Sequence, residues 1–246
     1  MKCIRCEIVI VLTAFLAVMF LIVVSFSSRN DELILEKSVG QTTLKISNKS
    51  EKDSILTYLT LGSDTTFITD VNGVFGIQES GLQGSFYMMK DSVYIYTYKN
   101  KGISGNISFG SPPINCKTDQ WPDGVNLFEV TLNNAGSVSK AQETFDISNV
   151  AGVNALGEIS TRYGGAWIAN GDTVTNIHND SIYQNSGNYG VFPVGCDICT
   201  ASKAPQKCKH PLRKATPQSK HICNVSRSAE QAGGTVEIIF KGWSSK

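Results

Sequence analysis

Residues 8–24 read IVIVLTAFLAVMFLIVV, with Thr13 the one polar side chain, and no charge follows until Arg29. In water such a run would need a core helix that is apolar on every face. Hydrocarbon is the more favourable solvent for it, and the run is just long enough to cross a bilayer. Lys2 and Arg5 precede it, so the positive-inside rule holds the N-terminus in the cytosol and sends the rest of the chain across. The sequence therefore predicts a cytosolic N-terminus at 1–7, a transmembrane signal-anchor at 8–28, a stalk at 29–40 and an extracytoplasmic domain at 41–246. A cleaved signal peptide and a secreted product are the alternative, since Ser25-Phe26-Ser27 offers small residues for cleavage; the length of the run favours the uncleaved anchor.

Charge narrows the partners of that domain. The chain has 22 Lys+Arg and 21 Asp+Glu. Two cations (Lys2, Arg5) and one anion (Glu7) precede the apolar run, which leaves 20 of each beyond it. A neutral domain has no basic field for nucleic acid. The predicted partners are the membrane, through residues 8–28, and carbohydrate; nothing in the sequence fixes an oligomeric state. Four N-x-[ST] sequons, at Asn48, Asn106, Asn179 and Asn224, are compatible with a glycosylated ectodomain.

From Thr43 onward, short β-rich runs alternate with Gly, Asn, Ser and Asp turns. Strands are expected over, among others, 43–47, 55–61, 85–89, 92–98, 126–132, 144–150 and 235–240. In 126–132, Phe128, Val130 and Leu132 fall on one face and Leu127, Glu129 and Thr131 on the other. No long amphipathic helix and no internal repeat follow the apolar run. Many short strands with regular turn signals predict a sandwich or barrel. Residues 164–227 hold all three His and four ectodomain Cys with little periodicity, and are expected to form a loop-rich lobe.

Cys3 and Cys6 sit on the cytosolic side as free thiols or, beside a membrane, as palmitoylation sites. In an oxidising compartment Cys196, Cys199, Cys208 and Cys223 read as disulfides of unassigned pairing, with Cys116 a further candidate. Five ectodomain cysteines is odd, so at least one is free or paired between chains. The Cys/His set in 196–223 contains zinc-ligand types, but the second half lacks knuckle spacing. No metal and no cofactor is expected. His178 reads as a polar loop residue.

Two stretches resemble the thaumatin-like family. Ile114-Asn115-Cys116-Lys117 followed by Trp121-Pro122-Asp123-Gly124 and Val125 to Leu132 is similar to that family's Cys and Pro-containing turn leading into an L-A-E-F-[ST]-L strand. Thr144-Phe145-Asp146-Ile147-Ser148, running on to Gly152-Val153-Asn154, resembles its Y-D-[IV]-S-x-x-x-G-[FY]-N. Thr43 to Asn48 and Thr235 to Phe240 are similar to its opening and closing strands. The resemblance implies a mainly β fold, a thaumatin-like β-sandwich with a loop-rich disulfide lobe, and a ligand cleft facing carbohydrate. Glu129 and Asp146 match two acidic positions of the family's cleft. The next acidic position is Ala151 here, the family's Arg has no counterpart that can be placed, and the cysteines are fewer.

The function these residues favour is a non-catalytic surface or carbohydrate-binding module. Trp121, Tyr163, Trp167 and Tyr189 are candidates for stacking on sugar, although packing is the commoner role of such residues. A weak β-glucan hydrolase would need Glu129 and Asp146 as an acid and base pair, with proximity keeping one of them protonated. A structural coat or virion-surface role needs neither. No G-x-S-x-G, H-E-x-x-H, P-loop or dinucleotide fingerprint is present.

Overall fold

The computed structural model describes residues 40–62, 66–98, 102–113, 124–133, 142–169, 171–179, 190–192 and 225–244. The apolar run, the expected stalk up to residue 39 and all seven cysteines lie outside them. Among the described residues no helix is long and apolar enough to cross a membrane.

The first strands are β1 (Thr43–Asn48), β2 (Ser54–Leu61), β3 (Val74–Ser80), β4 (Gln83–Met89) and β5 (Val93–Ile95). Then come β6 (Ile103–Phe109), β7 (Leu127–Leu132), β8 (Gln142–Ser148), β9 (Ala155–Arg162) and β10 (Ile168–Ala169). The last are β11 (Asp172–Thr173), β12 (Asn176–Asn179), β13 (Val191–Phe192), β14 (Val225–Ser228) and β15 (Thr235–Trp243). The larger sheet runs β11-β10-β14-β8-β7-β6-β2-β4-β3, with β13 also on β8; the smaller runs β12-β9-β15-β1-β5. The fold is mainly β and sandwich-like. The first and last strands, β1 and β15, pair in parallel near the middle of the smaller sheet.

Alternation builds the layers. In β2, Ile55, Thr57, Leu59 and Leu61 are buried while Leu56, Tyr58 and Thr60 are only partly so. In β7 and β8, Phe128, Val130, Leu132, Phe145 and Ile147 point into the core. Both sheets contribute to one apolar cluster. Phe109 bridges them, its ring centroid 5.4 Å from Phe128 and 5.0 Å from Phe240. Each such ring contributes roughly 1.5–3 kcal/mol by burial.

Several expectations change in the structure. The strand expected over 92–98 is only Val93–Ile95, an edge strand that pairs with three residues of β1. Beyond it the chain bends, so that the Tyr98 hydroxyl donates to the Thr42 carbonyl at 2.8 Å. The strand expected over 144–150 ends at Ser148, because Gly152 N–H donates to Asn149 O and closes a turn. Strands β3, β6 and β9 add to the runs singled out from the sequence. Within 164–227, the described residues include β10 to β14, which belong to the two sheets; residues 180–189 and 193–224 lie outside the described residues. His178 lies on β12, opposite Glu158 of β9, rather than in a loop.

At one end of the sandwich a buried polar network ties five segments together. Arg227 of β14 and Glu143 of β8 are almost fully buried and make an ion pair at 2.7 Å. The guanidinium also donates to Thr42 Oγ1 (2.8 Å), Gly165 O (3.1 Å) and Gly233 O (2.6 Å). Its carbon lies 4.1 Å from the centre of the Trp167 ring. Thr42 Oγ1 donates in turn to Glu143, and Asn133 N–H donates to Glu143 Oε1 at 2.8 Å. Each guanidinium nitrogen of Arg227 and each carboxylate oxygen of Glu143 has at least one partner, which is the condition under which buried charge is tolerated.

Two outcomes follow from this network. Arg227→Met strands the Glu143 carboxylate in the core and is expected to destabilise by about 3–5 kcal/mol. Arg227→Lys should recover only part of that, since an ammonium cannot reproduce the planar fork. Chemical denaturation of the full chain checks both, and a loss below about 1 kcal/mol for the Met variant would contradict the tolerance argument. Burial also pushes the Tyr98 phenol well above its usual range, with the Glu143 charge adding to it. A phenol whose folded pKa is raised stabilises fully below its unfolded pKa of about 10, and that stability is lost as pH rises through the folded value. Alkaline unfolding should therefore be blunted in Tyr98→Phe, which forgoes a hydrogen bond of about 1 kcal/mol at neutral pH.

Candidate functional site

The outward face of the larger sheet carries a hollow of about 340 Å³ over β2, β6, β7 and β8. Its floor is set by register. Thr60 stands opposite Asn106, Asn106 opposite Glu129, and Glu129 opposite Asp146, so four polar side chains form one line across four strands. A second line, one pleat along, runs Ser104–Thr131–Thr144. The two hydroxyls of Ser104 and Thr131 are 3.0 Å apart.

The two carboxylates singled out from the sequence thus share one face, on neighbouring strands, both half-buried. Directly opposite residues of an antiparallel pair have Cβ atoms about 5 Å apart. Asn106 Oδ1 is buried and accepts no hydrogen bond, while Thr60 Oγ1 accepts one from Gln83 Nε2 at 3.0 Å. The hollow is therefore rich in acceptors and hydroxyls, and suits a ligand rich in donors. Anions are disfavoured by the paired carboxylates.

Gly105 shapes the hollow. A Cβ there would lie 2.2 Å from the Thr60 carbonyl oxygen, so β6 approaches β2 more closely than any other residue permits. Gly124 plays a similar part at the turn before β7: its φ is +75°, and a Cβ would meet the Ala151 carbonyl oxygen at 1.8 Å. Ala151 itself is buried in the β8–β9 turn and does not line the hollow. Asn126 and Asn154 lock the same corner. Each backbone N–H donates to the other's Oδ1, at 3.3 and 3.2 Å, and Asn154 Nδ2 donates to Phe109 O. These motif residues hold β7 beside β9 and take no part in the hollow.

Of the candidate aromatics, Trp167 and Tyr163 fall among the described residues. Trp167 takes the packing role: it is 3% exposed, between Phe145 and Arg227. Tyr163 is 70% exposed, with a φ of +61° that a tyrosine rarely adopts. Trp121, Tyr189, Asn224, Cys116, Cys196, Cys199, Cys208 and Cys223 lie outside the described residues. Among the described residues no group of three or more His, Cys, Asp or Glu is placed to hold a metal. Across the smaller sheet, burial works against the Glu158 carboxylate, but the Lys241 ammonium hydrogen-bonded to it prevails and holds its pKa below the usual range.

The sequons divide by burial. Asn48 is fully buried, its Nδ2 donating to Lys52 O and Met88 O while its Oδ1 accepts from Ser50. Asn179 is 2% exposed, and its Nδ2 donates to Ala155 O at 2.9 Å. A glycan on either nitrogen would cost those hydrogen bonds and has no room. Asn106 lines the hollow rather than standing clear of it.

No protein-family model matches the chain, and no curated protein matches it. Among solved structures, the protein elicitor MoHrip2 from Magnaporthe oryzae is a distant neighbour at 10% identity and a TM-score of 0.35, over 81% of this chain and 98% of that one.

The burial of the sequons sets a test. Glycopeptide mapping is expected to find Asn48 and Asn179 unmodified in the folded protein, and Asn48→Ala to destabilise by about 1–3 kcal/mol by orphaning its partners. High occupancy at Asn48 in folded material would contradict the placement of that side chain.

Proposed function

We propose that this protein is a membrane-anchored, extracytoplasmic, thaumatin-like binding module, held by residues 8–28, whose hollow takes carbohydrate without turning it over. The observation that carries the reading is the line Thr60–Asn106–Glu129–Asp146. Sugar hydroxyls donate and accept at once, and this line presents carboxylates, an amide oxygen without a donor and hydroxyls within one recess. Charge-assisted hydrogen bonds from ligand hydroxyls to Glu129 and Asp146 would be the strong contacts. The disulfides of Cys196, Cys199, Cys208 and Cys223 belong to the same reading, as the stiffening of an extracytoplasmic segment poor in apolar residues.

Hydrolysis is the second reading, and the spacing of the carboxylates leaves it open. Retaining glycosidases separate their carboxyls by about 5–5.5 Å, comparable to direct cross-strand neighbours. What favours binding is direction. Glu129 and Asp146 rise side by side from one sheet face, whereas an acid and a nucleophile must flank the scissile bond from two sides.

A glycan array probed with the full chain in detergent micelles distinguishes these. Specific binding without reducing-end release is expected. Glu129→Gln, which keeps shape and removes the charge, should weaken it about tenfold or more. An unchanged glycan profile in that variant would exclude this hollow as the site, and release of reducing ends would establish the hydrolase instead.

A further inference from the structure

The outward face that bears the hollow also carries an aromatic pair that the fold does not need for its core. Phe75 of β3 and Tyr87 of β4 stand opposite each other, with ring centroids 5.4 Å apart and planes 15° from parallel. They are 45% and 39% exposed. Gly76, at a φ of +66°, has its Cβ position 3.1 Å from the Tyr87 ring, so a side chain there would crowd the ring from one side.

Register places this pair relative to the hollow. Tyr87 is opposite Leu56 on β2, and Thr60, four residues along β2 on the same face, is opposite Asn106. Between them lies Tyr58, half-buried and outward, opposite Ser85 on one side and Ser108 on the other. The path Tyr87–Tyr58–Asn106 takes two diagonal cross-strand steps of about 7–8 Å each, and the direct step to Glu129 adds about 5 Å. The whole path is thus about 20 Å long, a span that no mono- or disaccharide covers.

The chemistry along it is neutral until its end. Gln78, Ser85, Tyr58 and the Gln83–Thr60 hydrogen-bonded pair border the path with amides and hydroxyls. A charged polymer would find no complementary row there. A chain whose units have an apolar C–H face for an aromatic ring and a hydroxyl edge for the polar residues fits both ends.

We propose that Phe75 and Tyr87 form a second subsite, and that the ligand is a neutral polysaccharide chain laid diagonally across the larger sheet from this platform, over Tyr58, into the Glu129–Asp146 hollow. The proposal rests on the carbohydrate reading of the hollow. It adds that recognition requires polymer length, because two anchoring regions must be filled by one ligand, and filling them together multiplies affinity.

The test is a titration of the full chain with a soluble unbranched β-glucan and its oligomers from disaccharide to octasaccharide. Affinity is expected to rise steeply once an oligomer is long enough to reach both regions. Tyr87→Ala should lower polymer affinity about tenfold while leaving disaccharide affinity as it was; Tyr87→Phe, which keeps the ring, should retain polymer affinity, and unchanged circular dichroism verifies the fold of each variant. Polymer affinity that survives both Phe75→Ala and Tyr87→Ala but falls in Glu129→Gln would overturn the second subsite and leave the hollow standing. Concentration-dependent dimerisation lost in Phe75→Ala, with polymer affinity intact, would assign the pair to self-association instead. Absence of binding to every member of the series would remove the hollow reading and this one with it.

Discussion

The Arg227–Glu143 ion pair decides where the chemistry of this protein points. β8 reads QETFDIS, and its side chains alternate between core and solvent. Glu143 goes in to meet Arg227, and three residues on Asp146 therefore faces out toward the hollow. A slip of one residue would exchange the two, placing Asp146 in the core and Glu143 on the surface. Apolar alternation alone would resist that slip, but Phe145 and Ile147 are only two votes in a seven-residue strand. The buried pair adds a penalty of several kcal/mol for any register that leaves Arg227 without its carboxylate. We regard this as its use here: a specifier of register more than a source of net stability.

That network also brings distant parts of the chain to one corner. Thr42, just before β1, touches Glu143 and Gly233, so the start of the domain, the middle strand β8 and the entrance to β15 share one hydroxyl. The parallel pairing of β1 with β15 begins there, with Thr43 N–H donating to Gly234 O. On the other side of β8, the same strand presents Thr144 and Asp146 to the hollow. The buried ion pair and the floor of the hollow are thus built on alternate residues of one strand, and a change to either is expected to be felt in the other through β8.

Strands whose sequence alternates were readable in advance: 55–61 and 126–132 match β2 and β7 closely. β3, β6 and β9 were hidden by glycine. Glycine weakens a strand pattern, and Gly76, Gly105 and Gly157 each sit within one of these strands. At Gly105 and Gly157 the reason is a close approach, to the Thr60 carbonyl and the Phe128 ring respectively. Missing β6 had a consequence for the site, because Asn106 then appeared only as a sequon and not as the link between Thr60 and Glu129. The pairing of Thr60 with Asn106 joins residues far apart in sequence, and no local pattern encodes such a register. Trp167 packs, as such residues commonly do, but nothing near it in sequence announces that Arg227 covers its ring.

The proposal that the outward face of the larger sheet recognises carbohydrate can be checked by amide chemical-shift mapping of the protein during titration with a soluble neutral β-glucan. Perturbations are expected along Tyr87, Tyr58, Asn106, Glu129 and Asp146, with β1 and β15 of the smaller sheet undisturbed. Perturbations confined to the smaller sheet, or a spectrum that does not change at saturating polymer, would contradict it.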